Sequence, residues 1–235
     1  MRAHYVSIAE CHRVQGTAVV IDVLRAYSTA AWAFHLGAER IVVSDDVDEA
    51  LRIKAMLPGA LAMKDSEQIE GFDLSNSPVE LQAARDLRGC TIVQKTTAGT
   101  VGAVAARAAE HLYCASFLVA SATAEALREA GPPEVYFVVT GEGGTGDEDR
   151  ACAEYIAALV ADPEVDAAPY LERAFASNAA ATIAHRVAES TPGVHALDVE
   201  TCLRTNVFDF VMRAALEPFG DTGLLTLRPY NRRNG

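Results

Sequence analysis

Short β-branched runs separated by alanine-rich stretches constrain this chain more than any other feature. Residues 17–21 (Thr-Ala-Val-Val-Ile), 40–44, 91–94, 111–114 and 134–140 are largely apolar and lack the in–out alternation of a half-exposed strand. A strand that is apolar on both sides must be covered on both faces. That is the condition of a mainly parallel sheet between helical layers. The intervening segments predict helices at 28–35, 47–56, 99–110, 120–129 and 147–160, with a further short strand at 60–63. Beyond Asp162-Pro163 the alternation weakens. There 177–189 and 207–216 read as helices, 224–227 as a late strand and 228–233 as a tail. The expected fold is a three-layer α/β/α arrangement with a mostly parallel or mixed sheet in one domain over 1–235. Pro132-Pro133 and Pro163 mark where a lobe boundary could fall.

The formal net charge of −12 argues against a polynucleotide partner, because nucleic-acid binders carry the opposite sign. The five cysteines (Cys11, Cys90, Cys114, Cys152, Cys202) are widely spaced and form no CxxC pair. That pattern suits free thiols in a cytoplasmic protein better than a disulfide framework or a zinc site. The first residues lack a signal-peptide pattern, and charged residues interrupt every apolar run before it reaches bilayer length. The expectation is a cytoplasmic protein with no membrane partner. A homodimer is the commonest assembly open to such a chain.

Four loops carry residues suited to chemistry. In the first, Ile21-Asp22-Val23-Leu24-Arg25-Ala26 with Ser28 and Thr29 follows a buried strand, where side chains and helix starts converge on ligands in α/β folds. Asp22 is a hard oxygen ligand for Mg²⁺, and Arg25 offers a planar fork to an oxyanion. The structural alternative is that Arg25 pairs with Asp22 and Ser28 caps the helix. The second loop is Gly71-Phe72-Asp73-Leu74-Ser75-Asn76-Ser77-Pro78. Ser77, Pro78 and Glu80 form a helix-start pattern, which leaves Asp73 and Asn76 unexplained by capping alone.

The third, Lys95-Thr96-Thr97-Ala98-Gly99-Thr100, is a hydroxyl-rich entry to a helix: an anion cradle or an ordinary cap, but not a Walker A loop. In the fourth, Gly141-Glu142-Gly143-Gly144-Thr145-Gly146 precedes Asp147, Glu148 and Asp149. Acids suit a first helical turn, and Glu148 or Asp149 could equally hold a cation beside Asp22. The glycines match a dinucleotide fingerprint only literally, since they fall late and no ribose-binding acid follows. His185 and His195 stand alone and read as structural or surface residues. Cys90 and Cys114 flank strands and read as core.

Taken in order, the four loops resemble the 2-phosphosulfolactate phosphatase family over about residues 16–160. The resemblance implies a Mg²⁺-dependent phosphohydrolase that converts 2-phosphosulfolactate and water to sulfolactate and phosphate, a step in coenzyme M biosynthesis. It assigns the metal to Asp22 with Glu148 or Asp149, and reaction roles to Asp22, Arg25, Asp73 and Asn76. The small phosphorylated substrate would be bound by Arg25, Ser28, Thr29, Ser77, Lys95, Thr96, Thr97, Gly99, Thr100 and Gly141.

The chain departs from the family pattern at Ala98, at Ser75, across Lys64-Asp65-Ser66-Glu67, and near Val119-Ala120. Lys64 and Lys95 are candidates to replace lost positive charge. A catalytically drifted anion-binding or regulatory protein on the same scaffold is the alternative that these departures favour.

Overall fold

The apolar runs pair as one mixed sheet. In a computed structural model, residues 1–65, 69–84, 86–220 and 222–230 are described. Among them the strands are β1 (Arg2–Ser7), β2 (Thr17–Ile21), β3 (Arg40–Ser44), β4 (Leu61–Lys64), β5 (Leu74–Ser75), β6 (Thr91–Lys95), β7 (His111–Ala115), β8 (Glu134–Val139), β9 (Val211–Phe219) and β10 (Thr222–Tyr230). Their order is β1-β8-β2-β7-β9-β10-β3-β6-β4-β5. The helices are α1 (Ala26–His35), α2 (Val47–Met56), α3 (Pro78–Ala84), α4 (Gly99–Ala105), α5 (Ala120–Ala130), α6 (Asp147–Ala161), α7 (Ala168–Phe175), α8 (Asn178–Ala188) and α9 (Asp198–Cys202). They cover the sheet as a three-layer α/β fold. β2 is buried at every residue, which is why its sequence shows no polar alternation.

The strands β1, β8, β2 and β7 run parallel, and so do β3, β6, β4 and β5. Between them sits the β9–β10 hairpin, antiparallel to β7, to β3 and within itself. Three reversals leave the two parallel halves running in opposite senses. In a flat sheet their carboxyl ends would lie at opposite edges. Here residues following β2, β4, β6 and β8 nonetheless line one cavity, so both parallel halves contribute to a single site.

The C-terminal third departs from expectation. Residues 207–216 do not form a helix. Phe208, Phe210, Met212 and Ala214 alternate inward, and β9 places Met212 opposite Cys114 and Ala214 opposite Leu112. The Ala-Ala-Leu stretch reads as helical, but the period-two burial decides the outcome. The strand at 224–227 extends to Thr222–Tyr230 and absorbs the start of the expected tail, whose residues 231–233 lie outside the described residues. The helix at 99–110 stops at Ala105, and β1, α7 and α9 appear where the sequence shows no strong signal. Among the described residues, no helix is long and apolar enough to cross a membrane. The five cysteines are free, and burial pushes the Cys114 thiol up to about 12, as suits a core residue.

Candidate active site

Asp22 begins the site. It follows β2, and its Oδ1 accepts the Ala26 amide at 2.9 Å while its carbonyl accepts Tyr27 at 3.1 Å. The aspartate therefore caps α1. Ser28, expected to cap, instead donates its hydroxyl to the Val23 carbonyl at 2.8 Å and lies buried behind the helix start. Thr29 is likewise fully buried, so neither residue lines the cavity as a substrate contact.

Across from Asp22, α6 brings Glu148 and Asp149 to the same sheet end. Asp149 is a buried latch. Its Oδ1 accepts the Val23 amide at 2.8 Å, and its Oδ2 accepts the Thr140 and Gly141 amides at 3.2 and 2.8 Å. The Thr140 hydroxyl lies 2.9 Å from the Ile21 carbonyl and 3.1 Å from Asp149 Oδ2. This ties the ends of β2 and β8 to α6. Glu148 is buried at 3% exposure, and its Oε2 has no hydrogen-bond partner. Gly141 leaves room for it, since a Cβ there would stand 2.7 Å from Glu148 Oε1.

The β6–α4 loop forms a third wall. Thr96 and Thr100 lock together: the Thr96 amide donates to Thr100 Oγ1 at 2.8 Å and the Thr100 amide to Thr96 Oγ1 at 3.1 Å. The Thr97 amide donates to Asp65 at 2.8 Å. The expected anion cradle therefore has three of its amides already satisfied, and Thr100 lies behind the wall. Thr96, Thr97 and Ala98 face the cavity. Gly99 is needed for space. A Cβ on it would come within 2.6 Å of Asp22 Oδ2 and 2.7 Å of the Ala26 Cβ. Gly99→Ala is expected to cost about 1–3 kcal/mol through overpacking, and to displace Asp22. Denaturant unfolding beside an activity assay checks it, and an unchanged midpoint would refute the tight approach.

Arg25 lines the cavity but does not pair with Asp22. Its Nη1 donates to Asp198 Oδ2 at 2.5 Å and to the Gly193 carbonyl at 2.8 Å, with the two side chains 5% and 0% exposed. Asp198 also accepts the Ser77 hydroxyl at 2.6 Å and the His195 amide at 2.9 Å. Ser77 is thus a structural hinge as well as a cap, since the Glu80 amide donates to its Oγ at 3.2 Å. The Glu80 carboxylate takes the Ser75 hydroxyl instead of closing a capping box.

Asn76 reaches the cavity wall and accepts from Gln94 Nε2 at 3.4 Å. Asp73 does not reach it. Its Oδ2 accepts the Ala62 amide at 2.8 Å and pairs with Lys54 at 2.7 Å, which pins the β4–β5 connection. Neither Lys64 nor Lys95 lines the cavity, and Lys64 Nζ donates to the Asp65 carbonyl at 2.6 Å. Of the departures from the family pattern, Ala98 faces the cavity and Ala120 is in the core; Ser66 and Glu67 lie outside the described residues.

The cavity measures about 230 Å³ and is acidic. Burial pushes the Asp22 carboxyl up to about 6, opposed by the Ala26 amide and reinforced by the charges of Asp65 and Glu148. Burial also raises Glu148, against its own amide and the Ser177 hydroxyl, with Glu142 adding repulsion. Asp149 rises for the same reason, with Asp22 and Glu148 adding to burial. Among the described residues, no three His, Cys, Asp or Glu side chains are grouped to hold a metal. Of the two acids expected beside Asp22, Asp149 is turned to the backbone amides and Glu148 keeps an oxygen without a partner. Sequence reasoning missed Asp65, Thr140, Asp198 and the α8 residues of the wall. No local pattern marks Asp198, whose partners Arg25 and Ser77 lie far from it in the chain.

An α/β sheet that gathers buried carboxylates, a fixed arginine and threonines around one cavity at its carboxyl ends has the form of a small-ligand site. Relatives narrow the class. A family model described as 2-phosphosulpholactate phosphatase matches residues 4–216, and the chain belongs to that family. The match runs well beyond the 16–160 stretch of the sequence motifs. The chain is 32% identical over 199 residues to a probable 2-phosphosulfolactate phosphatase of Bacillus subtilis (strain 168), covering 83% of this chain and 85% of that protein. It is 33% identical over 208 residues to one from Carboxydothermus hydrogenoformans, covering 85% and 86%. Against one from Caldicellulosiruptor saccharolyticus it is 37% identical over 125 residues, covering 52% and 51%.

Proposed function

We propose that this protein is a Mg²⁺-dependent phosphatase that hydrolyses 2-phosphosulfolactate, or a related phosphorylated 2-hydroxy acid, to the free hydroxy acid and phosphate. The observation that carries the reading is Glu148, a buried carboxylate with an unpartnered oxygen in a wall it shares with Asp22. Two buried carboxylates that repel each other across one cavity wall suit a bound cation. Mg²⁺ is commonly held by one or two carboxylates, its remaining positions filled by water and substrate phosphate.

Asp22 and Glu148 would hold the ion, which supplies Lewis-acid polarisation and a more acidic bound water. Asp149 fixes the floor through the amides of Val23, Thr140 and Gly141. Arg25, held in place by Asp198, presents guanidinium edge to the phosphoryl oxygens without needing to reorganise. The Thr97 side chain and Asn76 complete the polar wall. The reading carries with it a role in coenzyme M biosynthesis and a cytoplasmic location.

Phosphate release from 2-phosphosulfolactate, with Mg²⁺ and with chelator, tests it. Release is expected only with the metal, and Asp22→Asn is expected to lower kcat by about 10²–10³-fold. Metal-independent release, or none from any phosphorylated 2-hydroxy acid, overturns the reading. One observation favours the alternative of a non-catalytic anion binder: the cavity wall carries Ala98, a methyl group, at a point where the family pattern has a polar residue. Calorimetric phosphate binding without turnover would establish that alternative.

A further inference from the structure

The wall contributed by α8 has no part in the chemistry above, yet its arrangement is regular. Ala179, Thr182, Ile183 and Arg186 line the cavity at positions i, i+3, i+4 and i+7, a single helix face turned to the site. Ile183 is buried and Arg186 is half-buried. The cavity lining holds five carboxylates (Asp22, Asp65, Glu142, Glu148, Asp149) against two guanidinium groups. Arg25 is already neutralised by Asp198. Arg186 makes no ion pair and no side-chain hydrogen bond among the described residues, although the chain has 32 acids for 20 Lys and Arg. Arg25, so held, is assigned to the phosphoryl group, and Arg186 is the lining cation whose charge no carboxylate among the described residues takes up.

We propose that Arg186 is a specificity-determining residue that receives a second acidic group of the substrate, a carboxylate or sulfonate, while the phosphate lies at Asp22 and Glu148. The inference rests on the phosphatase reading and deepens it. A guanidinium fork matches either planar carboxylate or sulfonate oxygens through paired hydrogen bonds, which a lysine cannot reproduce. Ile183, one turn before it on the same face, offers an apolar surface to the short carbon chain between the two anions. The substrate class is then a phosphoester whose carbon skeleton bears a further strong acid, and a simple alkyl phosphate leaves Arg186 unsatisfied.

The test is calorimetric binding of sulfolactate, lactate, isethionate (which keeps the sulfonate but lacks the carboxylate) and inorganic phosphate to the full chain with saturating Mg²⁺. Wild type, Arg186→Gln and Arg186→Lys are compared. Arg186→Gln is expected to weaken sulfolactate by about 10- to 100-fold while phosphate changes less than about twofold. Arg186→Lys recovers part of the loss. Whichever of lactate and isethionate shows the same sensitivity identifies the acidic group. In turnover, KM for phosphosulfolactate rises in Arg186→Gln with kcat nearly constant. Unchanged sulfolactate affinity in Arg186→Gln, or an equal loss for phosphate, overturns the proposal. Sulfolactate binding that depends on Arg186 without any phosphate release refutes the phosphatase reading and leaves the Arg186 assignment standing. Release with no sulfolactate binding does the reverse.

Discussion

Replacing Asp198 with alanine is expected to destabilise the protein by about 3–5 kcal/mol, the penalty of leaving a buried charge without its partner. Arg25 and Asp198 are 5% and 0% exposed, so removing the partner leaves the guanidinium largely buried without its counter-charge. The loss does not stop at the ion pair. The same carboxylate accepts the Ser77 hydroxyl and the His195 amide, so the start of α3 and the entry to α9 lose a hydrogen bond each. Asp198→Asn keeps the shape and an acceptor, and is expected to cost roughly half as much. Urea unfolding monitored by circular dichroism measures both. Activity is expected to fall in the alanine variant even at temperatures where it stays folded, since Arg25 is then free to turn toward the carboxylates of the cavity. A loss below about 1 kcal/mol would mean that the pair contributes little and that Arg25 is held by the Gly193 carbonyl instead.

Asp198 also shows where sequence reading stops. β2, β3, β6, β7 and β8 are legible because each is a short apolar run that must be buried on both faces, and that requirement acts locally. Asp22, Arg25, Thr96, Thr97 and Gly141 are legible as residues just after strands, and Glu148 and Asp149 as acids opening a helix. Their division of labour is not. Asp149 and Thr100 spend their polar atoms on neighbouring backbone, and only three-dimensional pairing distinguishes a latch from a ligand. Arg25 illustrates the same limit, because its partner lies 173 residues away. The β9–β10 hairpin fails for a different reason. Ala214, Ala215 and Leu216 favour a helix on propensity, but β9 bridges β7 and β10 and tertiary pairing overrides that weak preference. The helix at 177–189 is legible, and what its inner face covers is not.

Glu148→Gln is expected to separate stability from function. In metal-free protein the wild-type carboxylate is buried beside Asp22, with one oxygen unpartnered, so ionising it works against folding. The amide removes that charge at nearly constant shape. The variant is expected to be more stable than wild type in chelator by about 1–3 kcal/mol, or about 2–12 °C in Tm for a chain of this size. The pH dependence supports the same sign. The Asp22 carboxyl holds its proton up to about 6 in the folded chain, against 3.8 for its ordinary value. Folding therefore takes up protons across that window, and metal-free wild type loses stability as pH rises from about 4 to about 6. Glu148 is one of the charges that raise Asp22, so the variant's stability falls less steeply over the same range. With Mg²⁺ the order is expected to reverse under the proposed metal role: wild type should gain stability by binding the ion, while the variant, with a neutral ligand in place of a charged one, should gain little and hydrolyse substrate about 10²–10³-fold more slowly. Thermal unfolding at several pH values, with and without Mg²⁺, reads both effects. An equal Mg²⁺ response in the two proteins would remove Glu148 from the metal site, and a less stable metal-free variant would show that its carboxylate is satisfied in the folded protein.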